Sequence, residues 1–353
     1  MRICFISGRE PAYVRNAVIL KGLKRKGIDV LDCTDSSSSY FTRYPKVLYR
    51  FMRTRRRDFD LVFVGFLGQP LVPIIRKLTD KPIVFDAFLS TYDTLCFERK
   101  RCGPKSPMGR FLYWLDKHSC ELSDTTLLDT DAHIGYFADT FGLHRDRFRR
   151  ILVGADDSMF YPQPSQRRDG KFMVFYCSTY LPVHGVECVI RAAKKLEQHR
   201  DIEFEVVGKG AGQKTIRRLA REMGVENVAF MDWVPYEKLP SEIAAADVCL
   251  GGHFSSVGKA RRVIPGKAYQ FIAMRKPVVM GDCPANCEVF SDRYNALFVE
   301  MGDEDSLADA ILELKDNCSL REQIAENGYK TFVERCTIDA IGEELGKTME
   351  TCK

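Results

Sequence analysis

Residues 258–282 read GKARRVIPGKAYQFIAMRKPVVMGD. Pro265 suits the first turn of a helix, where its missing N–H would go unbonded anyway. The residues after it continue with helical spacing, and the apolar run 277–281 then reads as a buried strand ended by Gly281 and Asp282. A basic loop, a proline-opened helix and an apolar strand make one step of an alternating α/β chain.

The same alternation extends in both directions. Strands are predicted at 2–7, 29–33, 61–65, 82–87, 125–129 and 150–154, and again at 172–177, 203–207, 227–231, 247–250, 277–281 and 296–300. Helices are predicted at 12–26, 43–56, 69–79, 107–122 and 131–141, then at 185–199, 214–223, 236–245, 266–275, 305–316, 319–334 and 338–352. The segment 158–171 breaks the rhythm with Pro162, Pro164, polar residues and Gly170, as a linker does. The fold class is therefore α/β: two doubly wound halves facing across a cleft, each expected to bind ligands at the carboxyl ends of its strands.

The 353 residues suit two domains, and 45% hydrophobic with 29% charged residues describes a chain with a real core. No stretch approaches the roughly 18 apolar residues of a membrane helix. Residues 2–7 read as a first strand and not as a secretory signal. The 13 Cys are scattered without a C-x-x-C pair, which fits free thiols in a reducing cytoplasm, the expected location. No metal is expected. Cys283 and Cys287 have no completing His or Cys pair, and Asp303–Asp305 reads as an acidic helix start.

Lys259, Arg261, Arg262 and Lys267 crowd the approach to the helix at 266, whose N-terminus carries partial positive charge. That combination suits a diphosphate; a solvated basic loop is the plainer reading. In the first half, Gly8 closes the first strand and Asp86 ends the fourth, on the side expected to face the cleft. Asp86 is either the polar group of that cleft or a cap for the following turn. Asp131 reads as a helix N-cap. The run 43–57 carries seven cations, Lys46 and six Arg, among Tyr, Leu, Phe and Met at helical spacing. It suits an anionic membrane surface as well as it suits a helix packed on the sheet with a solvated basic face. No nucleic-acid motif accompanies it.

The stretch 258–282 resembles the donor-binding signature of glycosyltransferase family 4, the group 1 glycosyltransferases. Further agreement lies in 175–186, in the Gly-Lys-Gly at 208–210, in 231–239, in 284–288 and in 295–303. The resemblance implies the GT-B fold, with two Rossmann-like domains: an acceptor-binding domain at 1–160, joined by the tail helix 338–353, and a donor-binding domain at 161–337. It implies that Gly208, Lys209 and Gly210 line the nucleotide and that Val234 offers backbone groups to the base. Gln270 would stand at the ribose, and Lys259, Arg261, Arg262 and Lys267 at the diphosphate, with Glu288 supporting the same loop. Lys267, Arg262 and Asp86 would carry catalysis. Gly8 would approach the donor from the other half.

Four positions depart from the family pattern: Ser178 and His184 stand where its diphosphate cations usually lie, Arg262 at its first Glu and Phe88 near its usual His. His184 either hydrogen-bonds a phosphate or only precedes its helix. The function implied is a retaining, cofactor-free and metal-free hexosyl transfer, the two halves closing on the linker. The donor is a nucleotide-diphosphate sugar and the acceptor a glycan or a lipid-linked molecule, reached from the inner face of the membrane where 43–57 docks. A degenerate nucleotide-sugar-binding protein is the alternative, and a sugar-nucleotide epimerase a more distant one.

Overall fold

The computed structural model describes residues 1–165 and 170–351, the Arg56 side chain excepted. Positions 166–169 of the predicted linker, positions 352–353 of the predicted tail and the side chain of Arg56 in the 43–57 run lie outside the described residues. The chain divides into two compact units, Met1–Val153 with Thr337–Lys353, and Gly154–Cys336.

The first unit holds six parallel strands: β1 (Arg2–Ser7), β2 (Asp29–Asp32), β3 (Leu61–Gly65), β4 (Ile83–Asp86), β5 (Thr125–Leu128) and β6 (Phe148–Arg150), in the order β2-β1-β3-β4-β5-β6. Near-continuous apolar runs such as Ile3–Ile6 and Leu61–Val64 are buried, as expected where helices cover both faces of a parallel sheet. The helices are α1 (Val14–Arg25), α2 (Tyr40–Arg53), α3 (Val72–Leu78), α4 (Pro107–Leu122) and α5 (Asp131–Phe141). The last predicted strand of this half begins two residues early and ends four early. Beyond β6, the carbonyls of Ile151 and Leu152 accept from Arg15 Nη1, both at 2.8 Å, and leave the ladder. The N-cap of α5 is Thr130, whose hydroxyl accepts from His133 N at 3.0 Å, and not Asp131, which opens the helix and pairs with Arg150.

The second unit repeats the plan with β7 (Phe172–Cys177), β8 (Ile202–Val207), β9 (Val228–Met231), β10 (Val248–Gly252), β11 (Val278–Gly281) and β12 (Leu297–Val299), in the order β12-β11-β10-β7-β8-β9. Its helices are α6 (Val186–Lys195), α7 (Gln213–Glu222), α8 (Leu239–Ala245), α9 (Gly266–Ala273), α10 (Glu304–Asp316) and α11 (Cys318–Arg335). Pro265 is the extended residue before α9, one place earlier than predicted. Asp303 caps α10, accepting from Asp305 N and Ser306 N, which accounts for the acidic stretch there. The tail helix α12 (Ile338–Glu350) lies on α1 of the first unit. The two meet at Gly22 and Gly342, where a side chain at Gly342 would stand 2.6 Å from the Gly22 carbonyl. Among the described residues no helix is long and apolar enough to cross a membrane.

Candidate functional site

In the second sheet β7 is the switch point: β8 and β9 lie to one side, β10 to β12 to the other. In open α/β sheets ligands bind at the carboxyl ends of the strands beside such a point. There the chain places Tyr176 and Cys177 at the end of β7 and His253 directly after β10. The loop after β7 brings Ser178 and His184, and the first turn of α9 brings Lys267.

The side chains are tightly ordered. Lys267 Nζ donates to the Cys177 carbonyl at 3.0 Å and sits 3.4 Å above the Tyr176 ring. The Tyr176 hydroxyl donates to the His184 carbonyl at 2.8 Å. Ser178 Oγ accepts from Tyr180 N at 2.9 Å and lies 2.8 Å from His184 Nδ1. The rings of His184 and His253 stack with centroids 5.6 Å apart and planes 6° from parallel. His253 is only 5% exposed, and among the described residues its Nδ1 has no hydrogen-bond partner. A buried polar atom left so is uncommon and points to a missing ligand or water. Lys259 is also buried and near enough to act on both rings.

Burial lowers the Lys267 ammonium to about 7. Burial first, then Lys267 and Lys259, lower His184 to about 3, and burial with the same cations and His184 holds His253 well below the usual imidazole range. At neutral pH both rings are uncharged and Lys267 is poised between its two forms. A stability consequence follows. Below pH 6.5 the unfolded chain binds protons on both rings that the folded chain refuses, so stability falls as pH falls. Between pH 7 and 5 the loss approaches roughly 2 kcal/mol for a fully buried ring such as His253. Chemical denaturation at the two pH values measures it, and His253→Gln reduces the difference.

Gly208 and Gly210 border this group, but for their own chain. A side chain at Gly208, where φ is +145°, would meet the Ser178 carbonyl at 1.8 Å, and one at Gly210 the Thr179 carbonyl at 1.9 Å. The glycines admit the 178–180 loop beside β8. Gln270 donates to the Tyr236 hydroxyl at 3.1 Å, one turn along α9 from Lys267, and Tyr236 packs edge-on to Phe160. Half-buried Val234 lies two residues before Tyr236.

Residues 157–331 match the family model described as glycosyl transferases group 1. The second unit carries this family's domain, and the chain is a glycosyltransferase. This transferase is 24% identical over 291 residues to the alpha-D-kanosaminyltransferase of Streptomyces kanamyceticus, covering 79% of this chain and 70% of that protein. It is 23% identical over 302 residues to the MMP alpha-(1->4)-mannosyltransferase of Mycolicibacterium hassiacum, covering 81% and 69%. Its fold is that of GT-B transferases. Anabaena HepE, solved in complex with UDP, superposes with a TM-score of 0.76 at 17% identity over 99% of this chain and 100% of that one. The sucrose-phosphate synthase of Thermosynechococcus elongatus gives 0.78 at 16%, over 99% and 98%.

Not every residue expected at the transferase's site joins the cluster. Lys259 and Lys267 act on the histidines, whereas Arg261 is exposed and turned toward the 283–285 turn, its carbonyl accepting from Ala285 N. Arg262 follows on the same short turn, its Nη1 near Gly258. Lys209 is exposed just after β8. Glu288 is half-buried, its carbonyl accepting from Arg335.

In the first unit Asp86 needs correcting. It has no exposed surface, and Arg15 holds its carboxylate at 2.9 and 3.1 Å, so in this conformation it offers no oxygen to a substrate. Arg15 is buried too and lies 5.3 Å from the Phe88 ring. Gly8 is filled by its own chain: Gly8 N and Arg9 N donate to Phe66 O, and a side chain at Gly8 would meet the Leu67 carbonyl at 1.8 Å. In the 43–57 run the inner face of α2 packs on the sheet through Val47 and Phe51. Arg43 is buried and donates to Gly8 O, Lys46 reaches Ser37, and Arg50 pairs with Asp35. Three of that run's seven cations thus serve the fold.

The sequence reading missed His253 and the use of Tyr176 as a platform for Lys267. The available signal for His253 was a polar residue directly after the apolar strand at the switch point.

Proposed function

We propose that this transferase binds a nucleotide-diphosphate sugar on its second unit and passes the hexose, with retention of configuration and without a metal, to an acceptor recognised by its first unit. The observation that carries the reading is the poised Lys267 at the start of α9. It stands beside two uncharged histidines, one with a buried unpartnered nitrogen, at the sheet's switch point. A diphosphate supplies what this group lacks. Its charge draws a proton onto Lys267, and its oxygens accept from the ammonium and from whichever imidazole nitrogens carry hydrogen. As the sugar leaves, charge gathers on the departing diphosphate, and Lys267 with the α9 N-terminus stabilises it there. In this reading the cations do the work that a divalent metal does elsewhere. Val234 and Gln270, near Tyr236, are the proposed neighbours of base and ribose. UDP is the first nucleotide to try, because HepE was solved with it.

The test is thermal-shift binding against UDP, GDP, ADP and dTDP, followed by titration of the best one across pH. One diphosphate raises the unfolding temperature. Its affinity is greatest near pH 6.5 and falls as pH rises above 7, by up to about tenfold per pH unit, because free Lys267 loses its proton there while the bound form keeps it. No shift with any of the four, or an affinity flat between pH 6.5 and 9, contradicts the reading.

A further inference from the structure

The first unit carries a second exposed feature that no donor site explains. Residues Asp93–Glu98 form a π-helical turn and α4 follows after a short loop. On α4 the buried face is Gly109, Leu112, Leu115, Asp116 and Ser119, which turns Met108, Phe111 and Trp114 outward. They are 56%, 51% and 50% exposed, against the few per cent usual for the apolar residues beneath them. Phe111 and Trp114 stack with centroids 6.0 Å apart, so the stripe is continuous. Phe97 adds to it, 46% exposed and packed through Tyr92 onto Tyr113 of α4.

Between positions 99 and 115 every charged residue is a cation. Arg99, Lys100, Arg101, Lys105 and Arg110 are exposed, and none has an ion pair among the described residues. The acids of the segment, Glu98 and Asp116, are buried. An exposed acid returns only at Glu121, which is already near Lys117 and His118.

We propose that this face, the loop 99–105 with the outer side of α4, docks on an anionic lipid bilayer. Large apolar side chains on the convex side of a helix, with Trp central and long cations flanking, suit insertion at the headgroup boundary, where the cations reach anionic phosphates. A protein partner would have to place an acid opposite each of five cations, whereas an anionic bilayer offers negative charge at every point around an inserted apolar stripe. The face differs from the 43–57 run, where Arg43, Lys46 and Arg50 are engaged by their own chain. The proposal is independent of the donor assignment.

The experiment is cosedimentation of the full chain with vesicles of phosphatidylcholine, with and without phosphatidylglycerol, at low and high salt. The wild type binds the phosphatidylglycerol vesicles and binds pure phosphatidylcholine far more weakly, and salt reduces the difference. Each cation near such a surface strengthens binding roughly fivefold, so Arg99→Gln, Arg101→Gln, Arg110→Gln together weaken it roughly a hundredfold. Phe111→Ser with Trp114→Ser weakens it at least roughly tenfold. All these side chains are exposed, and an unchanged unfolding temperature confirms that the fold persists. Phe41→Ser with Met52→Ser, on the exposed side of α2, leaves binding unchanged. The proposal is overturned if the wild type ignores anionic vesicles, if the loss follows the α2 variant instead, or if the chain binds RNA or heparin through these cations and not the vesicles.

Discussion

Lys267→Met weakens diphosphate binding roughly ten- to 150-fold and leaves the fold as stable as before or slightly more so. The ammonium is half-buried over an aromatic ring, and burial has already brought it to about 7, so its charge is a burden to the empty protein. A methionine fills a similar volume without that charge. The lost carbonyl bond and ring contact offset part of the gain, leaving an unfolding temperature unchanged or raised by roughly 2–4 °C. Function moves the other way. A charge-assisted bond to phosphate contributes about 1.5–3 kcal/mol of affinity, and a donor aimed at developing charge supports turnover by roughly a hundredfold or more. Calorimetry with UDP and a turnover assay measure both sides. A variant that loses stability and binding together would make Lys267 a structural residue. Lys267→Arg keeps charge but not shape and is expected to rescue poorly, because a planar guanidinium presents its donors in a fixed fork where the compact ammonium is a point charge.

Asp86→Ala unfolds the first unit more readily without touching nucleotide affinity. The substitution strands Arg15 in the core, with side-chain exposures of 1% and 0% for the two partners. Removing one member of a buried ion pair costs about 3–5 kcal/mol. The unfolding temperature of this unit then drops by roughly 10 °C or more. Asp86→Asn keeps one acceptor and costs less. Were Asp86 instead the group that takes the acceptor's proton, both variants would lose turnover at an unchanged unfolding temperature. Scanning calorimetry alongside UDP titration and a turnover assay separates the two roles.

The alternation of strands and helices was legible to within a few residues almost throughout, because each half is a parallel sheet whose strands are short apolar runs and whose helices have one apolar stripe. Strand β6 strayed because a side chain from α1, and not a neighbouring strand, takes the carbonyls beyond it. The proline and the cations before α9 were visible as a phosphate-type signal, and the structure keeps Lys259 and Lys267 together with the histidines while Arg261 turns elsewhere. What sequence could not supply was pairing at long range. Arg15 and Asp86 stand 71 residues apart, so a strand-end carboxylate looked available when it was spoken for. His253 meets His184 only because β7 and β10 are neighbours across the switch point. The glycines at 208 and 210 were read as room for a nucleotide, and the room is used first by the 178–180 loop.

The most direct measurement is a crystal structure of the UDP complex. The account predicts a diphosphate oxygen within about 3.2 Å of Lys267 Nζ, with the ammonium drawn off the Cys177 carbonyl and an imidazole of the His184–His253 stack facing the phosphates. A diphosphate bound away from α9, with Lys267 still on its carbonyl, would contradict it.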